Sequence, residues 1–226
     1  MLYAYFFECI SKLYKKKEFL EKSKHIKKHI LEMSFTGVFF EDQLIRNNQN
    51  KLIKTNHMSE TCQYYAFFTN TISIKTHPKL FNLLKKEFGY HRDEKKKYPH
   101  IYKSNAFIGN YLRLEMLKRN NETEQLLKEC KDYFSFMAKR THTLWEHSYV
   151  FGSLNHGFAS YAANLIIQSL TGIISYNEKL RTITYKKPTV KLDFNALIPF
   201  GSGIKISRHN GEFFMIIPSD ITVIEG

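Results

Sequence analysis

Residues 156–172 read His-Gly-Phe-Ala-Ser-Tyr-Ala-Ala-Asn-Leu-Ile-Ile-Gln-Ser-Leu-Thr-Gly. The stretch predicts a helix over 156–171 that stops at Gly172, because glycine takes the left-handed conformation of a helix C-cap without steric cost. Beyond it the apolar spacing falls from about 3.6 residues towards two. Leu180, Ile183, Val190, Leu192, Ile204, Ile206, Phe214, Ile216 and Val223 lie in short alternating runs, which predict strands. Asn210-Gly211 stands between two such runs and is a strong hairpin signal, since both central residues of a type I′ turn need positive φ. The change at 172/173 divides the chain into a helical domain, 1–172, and a C-terminal β domain, 173–226.

Working back from that boundary, helices recur in pairs. Residues 2–14 and 18–33 carry apolar residues at helical spacing and read as a helical hairpin, with Phe19, Ile26, Ile30 and Met33 on one stripe of the second. Between Phe35 and Lys54 the pattern turns β-like around Phe39-Phe40 and Leu52-Ile53, with Asn47 to Asn50 as a turn. Ser59 suits the cap of a third helix, and Pro78 the first turn of a fourth that ends at Gly89. Residues 105–119 and 122–139 form another pair, split by Asn120-Asn121. The expected fold is mainly α, about seven helices, followed by a short antiparallel β-sandwich-like cap.

The 226 residues are 43% hydrophobic and 15% aromatic, enough to bury a core and to set aside a disordered reading. The net charge of +13 invites a nucleic-acid partner, yet only seven of the 34 basic residues are Arg, and base and phosphate forks favour Arg. The lysines read as solvated surface, so neither nucleic acid nor a membrane is expected as partner. Cys9, Cys62 and Cys130 form no even framework, and no Cys or His pair has metal-ligand spacing; no metal or cofactor is expected. The N-terminal stretch lacks a basic n-region and a small-residue cleavage site, which points to the cytoplasm.

Three stretches carry a resemblance. They are Ser59-Glu60-Thr61-Cys62-Gln63-Tyr64-Tyr65-Ala66-Phe67-Phe68, then Asn105-Ala106-Phe107-Ile108-Gly109-Asn110-Tyr111-Leu112-Arg113, then Thr143-Leu144-Trp145-Glu146 with Ser153-Leu154-Asn155-His156-Gly157-Phe158-Ala159-Ser160. In this order the chain resembles the α-L-rhamnosidase family and its six-hairpin relatives over roughly residues 35–226. The resemblance implies part of an (α/α)6 barrel, an inverting hydrolase, and a rhamnose-containing glycoside or oligosaccharide as partner. It implies Glu146 as the catalytic base, His156 as a sugar-contacting histidine, Trp145 as an apolar platform, and Asn155 and Glu60 as further substrate contacts. Inversion requires a carboxylate that activates water and a second, protonated carboxyl across the sugar.

The family's general acid belongs to an Asp- and Arg-rich motif upstream of the Trp-Glu loop, for which no counterpart is found. His91-Arg92-Asp93-Glu94 reads as a solvated loop, so the acid role is not carried to Glu94. A six-hairpin barrel needs twelve helices. The expectation is therefore a truncated chain with slight turnover, its Tyr3, Phe6, Phe7 and Leu13 stripe covered by a missing N-terminal half or by self-association. Alternatives from other classes are a non-catalytic carbohydrate-binding fragment and another six-hairpin glycosidase.

Overall fold

The computed structural model describes residues 1–104 and 106–226; Asn105, which opens the second matching stretch, lies outside them. The described residues form a mainly α fold with small sheets gathered towards the C-terminal part. The helices are α1 (Leu2–Tyr14), α2 (Lys17–Ser34), α3 (Glu60–Phe68), α4 (Pro78–Glu87), α5 (Arg92–Lys95), α6 (Phe107–Arg119), α7 (Thr123–Thr141) and α8 (Tyr161–Thr171). The strands are β1 (Leu44–Arg46), β2 (Leu52–Lys54), β3 (Met58–Ser59), β4 (Ile101–Tyr102), β5 (Ile173–Asn177), β6 (Thr182–Tyr185), β7 (Phe194–Ile198), β8 (Ile204–His209), β9 (Glu212–Ile216) and β10 (Thr222–Glu225). None of the helices is long and apolar enough to cross a membrane.

Contacts divide the chain into two compact units, residues 1–116 with 145–153, and residues 117–144 with 154–226. The change from helix to strand at Gly172 lies inside the second.

In the first unit α1 and α2 form the expected hairpin. Ser23 is buried and its Oγ donates to the Ala4 carbonyl at 2.7 Å, so a small polar residue is what lets the helices approach. Lys27 Nζ bonds Glu8 at 2.6 Å across the same hairpin. Ser59 caps α3 by accepting from the Cys62 N–H at 3.2 Å, which satisfies a donor with no partner inside the helix. Pro78 stands in the first turn of α4, where its missing N–H costs nothing. β1 and β2 pair antiparallel about the Asn47–Asn50 turn, while Phe39 and Phe40, expected to be strand-like, are buried and form only an isolated bridge from Phe40 to Phe35.

A buried polar chain runs through this unit. Arg92 Nη1 donates to Glu60 Oε1 at 2.7 Å, and Arg92 Nη2 to the Tyr98 and Ile101 carbonyls at 2.9 and 3.0 Å. The Tyr64 hydroxyl donates to Glu60 Oε2 at 3.3 Å and accepts from Arg113 Nη1 at 3.1 Å. The reading of residues 91–94 as a solvated loop is corrected at Arg92, which opens the one-turn helix α5 and is 5% exposed. Its guanidinium goes inward because a buried carboxylate requires a partner.

In the second unit α7 and α8 pack together, and α8 ends at Gly172 with φ +75. Two three-stranded sheets follow, ordered β10-β6-β5 and β7-β8-β9, and share one core of Ile173, Ile183, Phe200, Ile204, Ile206 and Ile221. Asn210 and Gly211 both have positive φ in the β8–β9 hairpin, as the turn requires. The pairing of β10 with β6 is parallel, a departure from an all-antiparallel cap.

Candidate functional site

Glu146 sits in a loop, 145–153, that closes on itself. Its N–H donates to the Ser153 carbonyl at 2.9 Å, and the Ser153 N–H returns a bond to Glu146 Oε2 at 3.1 Å. The Glu146 carbonyl accepts from the Phe107 N–H at 2.7 Å, and His147 bridges Ala106, so the loop is stitched to the start of α6. Gly152 has φ +67, and a Cβ there would lie 2.8 Å from Glu146 Oε2. The positive φ favours glycine, and a larger residue would also have to displace the Glu146 carboxylate. The Glu146 side chain, 33% exposed, is thus held by one oxygen and open to solvent.

Residues absent from the sequence reading complete this loop. His147 Nε2 lies 3.8 Å from Glu146 Oε1, and the His147 Nδ1 is buried without a hydrogen-bond partner among the described residues. Its ring stands 5.6 Å from Tyr149 and 5.1 Å from Phe151, and these two rings stack at 5.9 Å and 29°. Both are exposed. The i, i+2 aromatic spacing beside a carboxylate was the signal available in the sequence. The arrangement can take a proton from water at one carboxylate oxygen and offer an apolar face to a sugar ring.

The other expected residues divide. Trp145 is fully buried, and a ring with no accessible face cannot serve as a sugar platform; its side chain turns into the core because the Glu146 backbone bonds fix the neighbouring residue's direction. Glu60 is also buried, held by Arg92, Tyr64 and the Ser104 N–H. Burial pushes its carboxyl above the ordinary range, against the opposing pull of Arg92. His156 and Asn155 belong to the second unit. The His156 N–H donates to the Leu144 carbonyl at 2.8 Å, Thr143 Oγ1 bonds the Leu154 carbonyl, and the His156 ring stands 5.7 Å from the exposed Phe158. His156 precedes a 3₁₀ turn, Gly157–Ser160, without capping it through its side chain. Asn155 is exposed. No group of three metal-ligating side chains occurs among the described residues.

The fold, helix pairs followed by small sheets, is similar to that of a solved structure, a GH78 family rhamnosidase of Bacillus sp. GL1, with a TM-score of 0.65 at 14% identity, over 93% of this chain and 23% of that one. The chain thus spans about a quarter of that neighbour's length. No family model and no curated protein matches the sequence.

Proposed function

We propose that the chain carries the base side of an inverting α-L-rhamnosidase-type glycoside hydrolase, acting on a rhamnose-containing glycoside. The observation that supports this most is Glu146: its Oε2 is tied to the Ser153 N–H while the side chain stays open beside exposed rings, in a chain of GH78-like fold. Glu146 takes a proton from water as the water oxygen bonds the anomeric carbon. The glycosidic C–O bond breaks on the opposite face, and a second, protonated carboxyl donates its proton to the leaving oxygen. The Tyr149 and Phe151 rings take the platform role that buried Trp145 cannot.

The test is hydrolysis of an aryl α-L-rhamnoside followed by proton NMR, with calorimetry against L-rhamnose in parallel. Turnover by the isolated chain is slight, releases the β-anomer first, and falls about 10²- to 10⁴-fold further in Glu146→Gln, while sugar binding persists. Turnover retained in Glu146→Gln, or no sugar binding by the unaltered chain, refutes the proposal.

One observation favours a second reading, carbohydrate binding without hydrolysis: Glu60, the other carboxyl within a matching stretch, is sealed against Arg92. That reading predicts rhamnose binding with no detectable turnover, and binding lost when Tyr149 and Phe151 are replaced by Ala.

A further inference from the structure

A cleft of about 650 Å³ opens within the first unit, between the start of α1, the end of α2, residues 41–44 and one face of α3. Its walls are largely apolar, with Ile30, Leu44 and the rings of Tyr3 and Tyr65 among them. Two carboxylates, Glu41 and Asp42, stand in this wall, and no Lys or Arg does. No residue of the 145–153 loop lines it.

The two acids differ in how far they are committed. Asp42 accepts the Ser59 N–H at 2.9 Å and a bond from the Cys62 thiol, which settles it at the start of α3. Glu41 is 3% exposed, and its Oε2 is buried with no hydrogen-bond partner among the described residues. Its ion pair is with Lys54, whose Nζ stands 3.8 Å from the other oxygen, beyond hydrogen-bond reach, and Lys54 does not line the cleft. The wall's own cation is the Met1 amino group; desolvation lowers its pKa against the pull of Cys62, and it pairs with neither carboxylate among the described residues. Protonation does not resolve the orphan oxygen of Glu41, since an O–H there lacks an acceptor just as a carboxylate oxygen there lacks a donor.

Glu41 is held in this place. Its N–H donates to the Ser34 carbonyl at the end of α2 at 2.9 Å, and the Asp42 N–H donates to the His57 carbonyl at 2.8 Å. On the other side, fully buried Gln63 clamps Phe40, accepting its N–H at 2.8 Å and donating to its carbonyl at 2.9 Å. The backbone is thus fixed on both sides of a carboxylate that lacks a full set of partners. Buried polar groups are ordinarily paired, so such a group marks a place for a donor from outside. Glu41, Asp42 and Cys62 do not form a metal-ligating group, whereas apolar walls with two tyrosine rings beside a carboxylate suit an organic ammonium.

We propose that this cleft binds the primary ammonium group of a small organic ligand, with Glu41 as its counter-ion, at a site separate from Glu146. Glu41 Oε2 accepts one ammonium N–H in a charge-assisted bond, and the tyrosine rings and apolar walls take the ligand's body. The proposal does not depend on the hydrolase reading.

Calorimetry on the 226-residue chain with n-butylamine, D-glucosamine and D-glucose at neutral pH tests it. Both amines bind with millimolar dissociation constants, weakened by added salt, and glucose does not bind at this site. Tighter D-glucosamine binding identifies an amino sugar as ligand, tighter n-butylamine binding a lysine-like aliphatic amine, and equal affinity a plain ammonium site. Glu41→Gln, which keeps the shape and removes the charge, weakens amine binding about tenfold with an unchanged circular dichroism spectrum. Lys54→Gln, altered at an exposed position, removes the competing cation and tightens binding severalfold, and it carries the test should Glu41→Gln unfold. Glu146→Gln leaves binding unchanged. Failure of both amines to bind at millimolar concentration, glucose binding as tight as theirs, or amine binding that survives Glu41→Gln, weakens in Lys54→Gln or is lost in Glu146→Gln overturns the proposal.

Discussion

Replacing Arg92 by Met isolates the Glu60 carboxylate inside the first unit. Glu60 is 1% exposed, and Arg92 supplies its shortest bond, 2.7 Å, while also serving the Tyr98 and Ile101 carbonyls. Losing one partner of a buried pair costs about 3–5 kcal/mol, since the remaining charge is neither solvated nor paired. For a chain of this size that corresponds to a fall of about 6–20 °C in Tm. The companion variant Glu60→Leu/Arg92→Met removes both charges, and buried pairs replaced by apolar groups are often near neutral, so the double variant stays within about 1–2 kcal/mol of the parent. Urea unfolding followed by tryptophan fluorescence reads the first unit directly, because Trp145 is the chain's single Trp and lies in its core. A cost below about 1 kcal/mol for Arg92→Met would show that Glu60 is not committed to the pair, and would return it to the list of sugar contacts.

Two further outcomes follow from titrating groups. Glu8 has a lowered pKa: desolvation raises it, but bonds and charges from Lys27 and Lys12 outweigh that. A carboxyl lowered from 4.5 stabilises the fold above that value and loses its contribution as pH falls through the folded-state value. The Tm gap between parent and Glu8→Gln is therefore largest at neutral pH and closes on acidification; a gap independent of pH would refute the assignment. Burial pushes the Cys62 and Cys130 thiols up to about 12, aided by Asp42 and Glu129 respectively, whereas Cys9 is exposed. Mass spectrometry after brief maleimide treatment at neutral pH should find Cys9 alone modified, and all three after urea; equal labelling of Cys62 in the folded chain would contradict the burial.

What was legible in the sequence is what local chemistry decides. Ser59 and Pro78 begin helices because each settles orphan N–H groups within four residues, and Asn210-Gly211 turns a hairpin because both positions need positive φ. The helix-to-strand change at Gly172 is of the same kind. Direction is harder. Trp145 beside Glu146 suggests a platform by residue type, yet the bonds from Phe107 and Ser153 to Glu146 decide which of the two neighbours faces outward, and those partners are 39 and 7 residues away. Arg92 hides in a charged run because its partner, Glu60, is 32 residues upstream. Glu146 itself was legible as a candidate, but His147, Tyr149 and Phe151 were not, since their grouping depends on how the loop folds back through Gly152.

The parallel pairing of β10 with β6 has a consequence for assembly. Between the two strands in sequence lies the whole β7-β8-β9 sheet, and Ile221, just before β10, inserts into the core that both sheets share. Each hairpin can zip by itself from its turn, but the β6 edge receives β10 only after the intervening sheet has been laid down, a long loop to close for a short strand. The cap accordingly has the topology of a clasp: its two leaves rest on local hairpins, and the last strand closes over β6 beside the core that both leaves share.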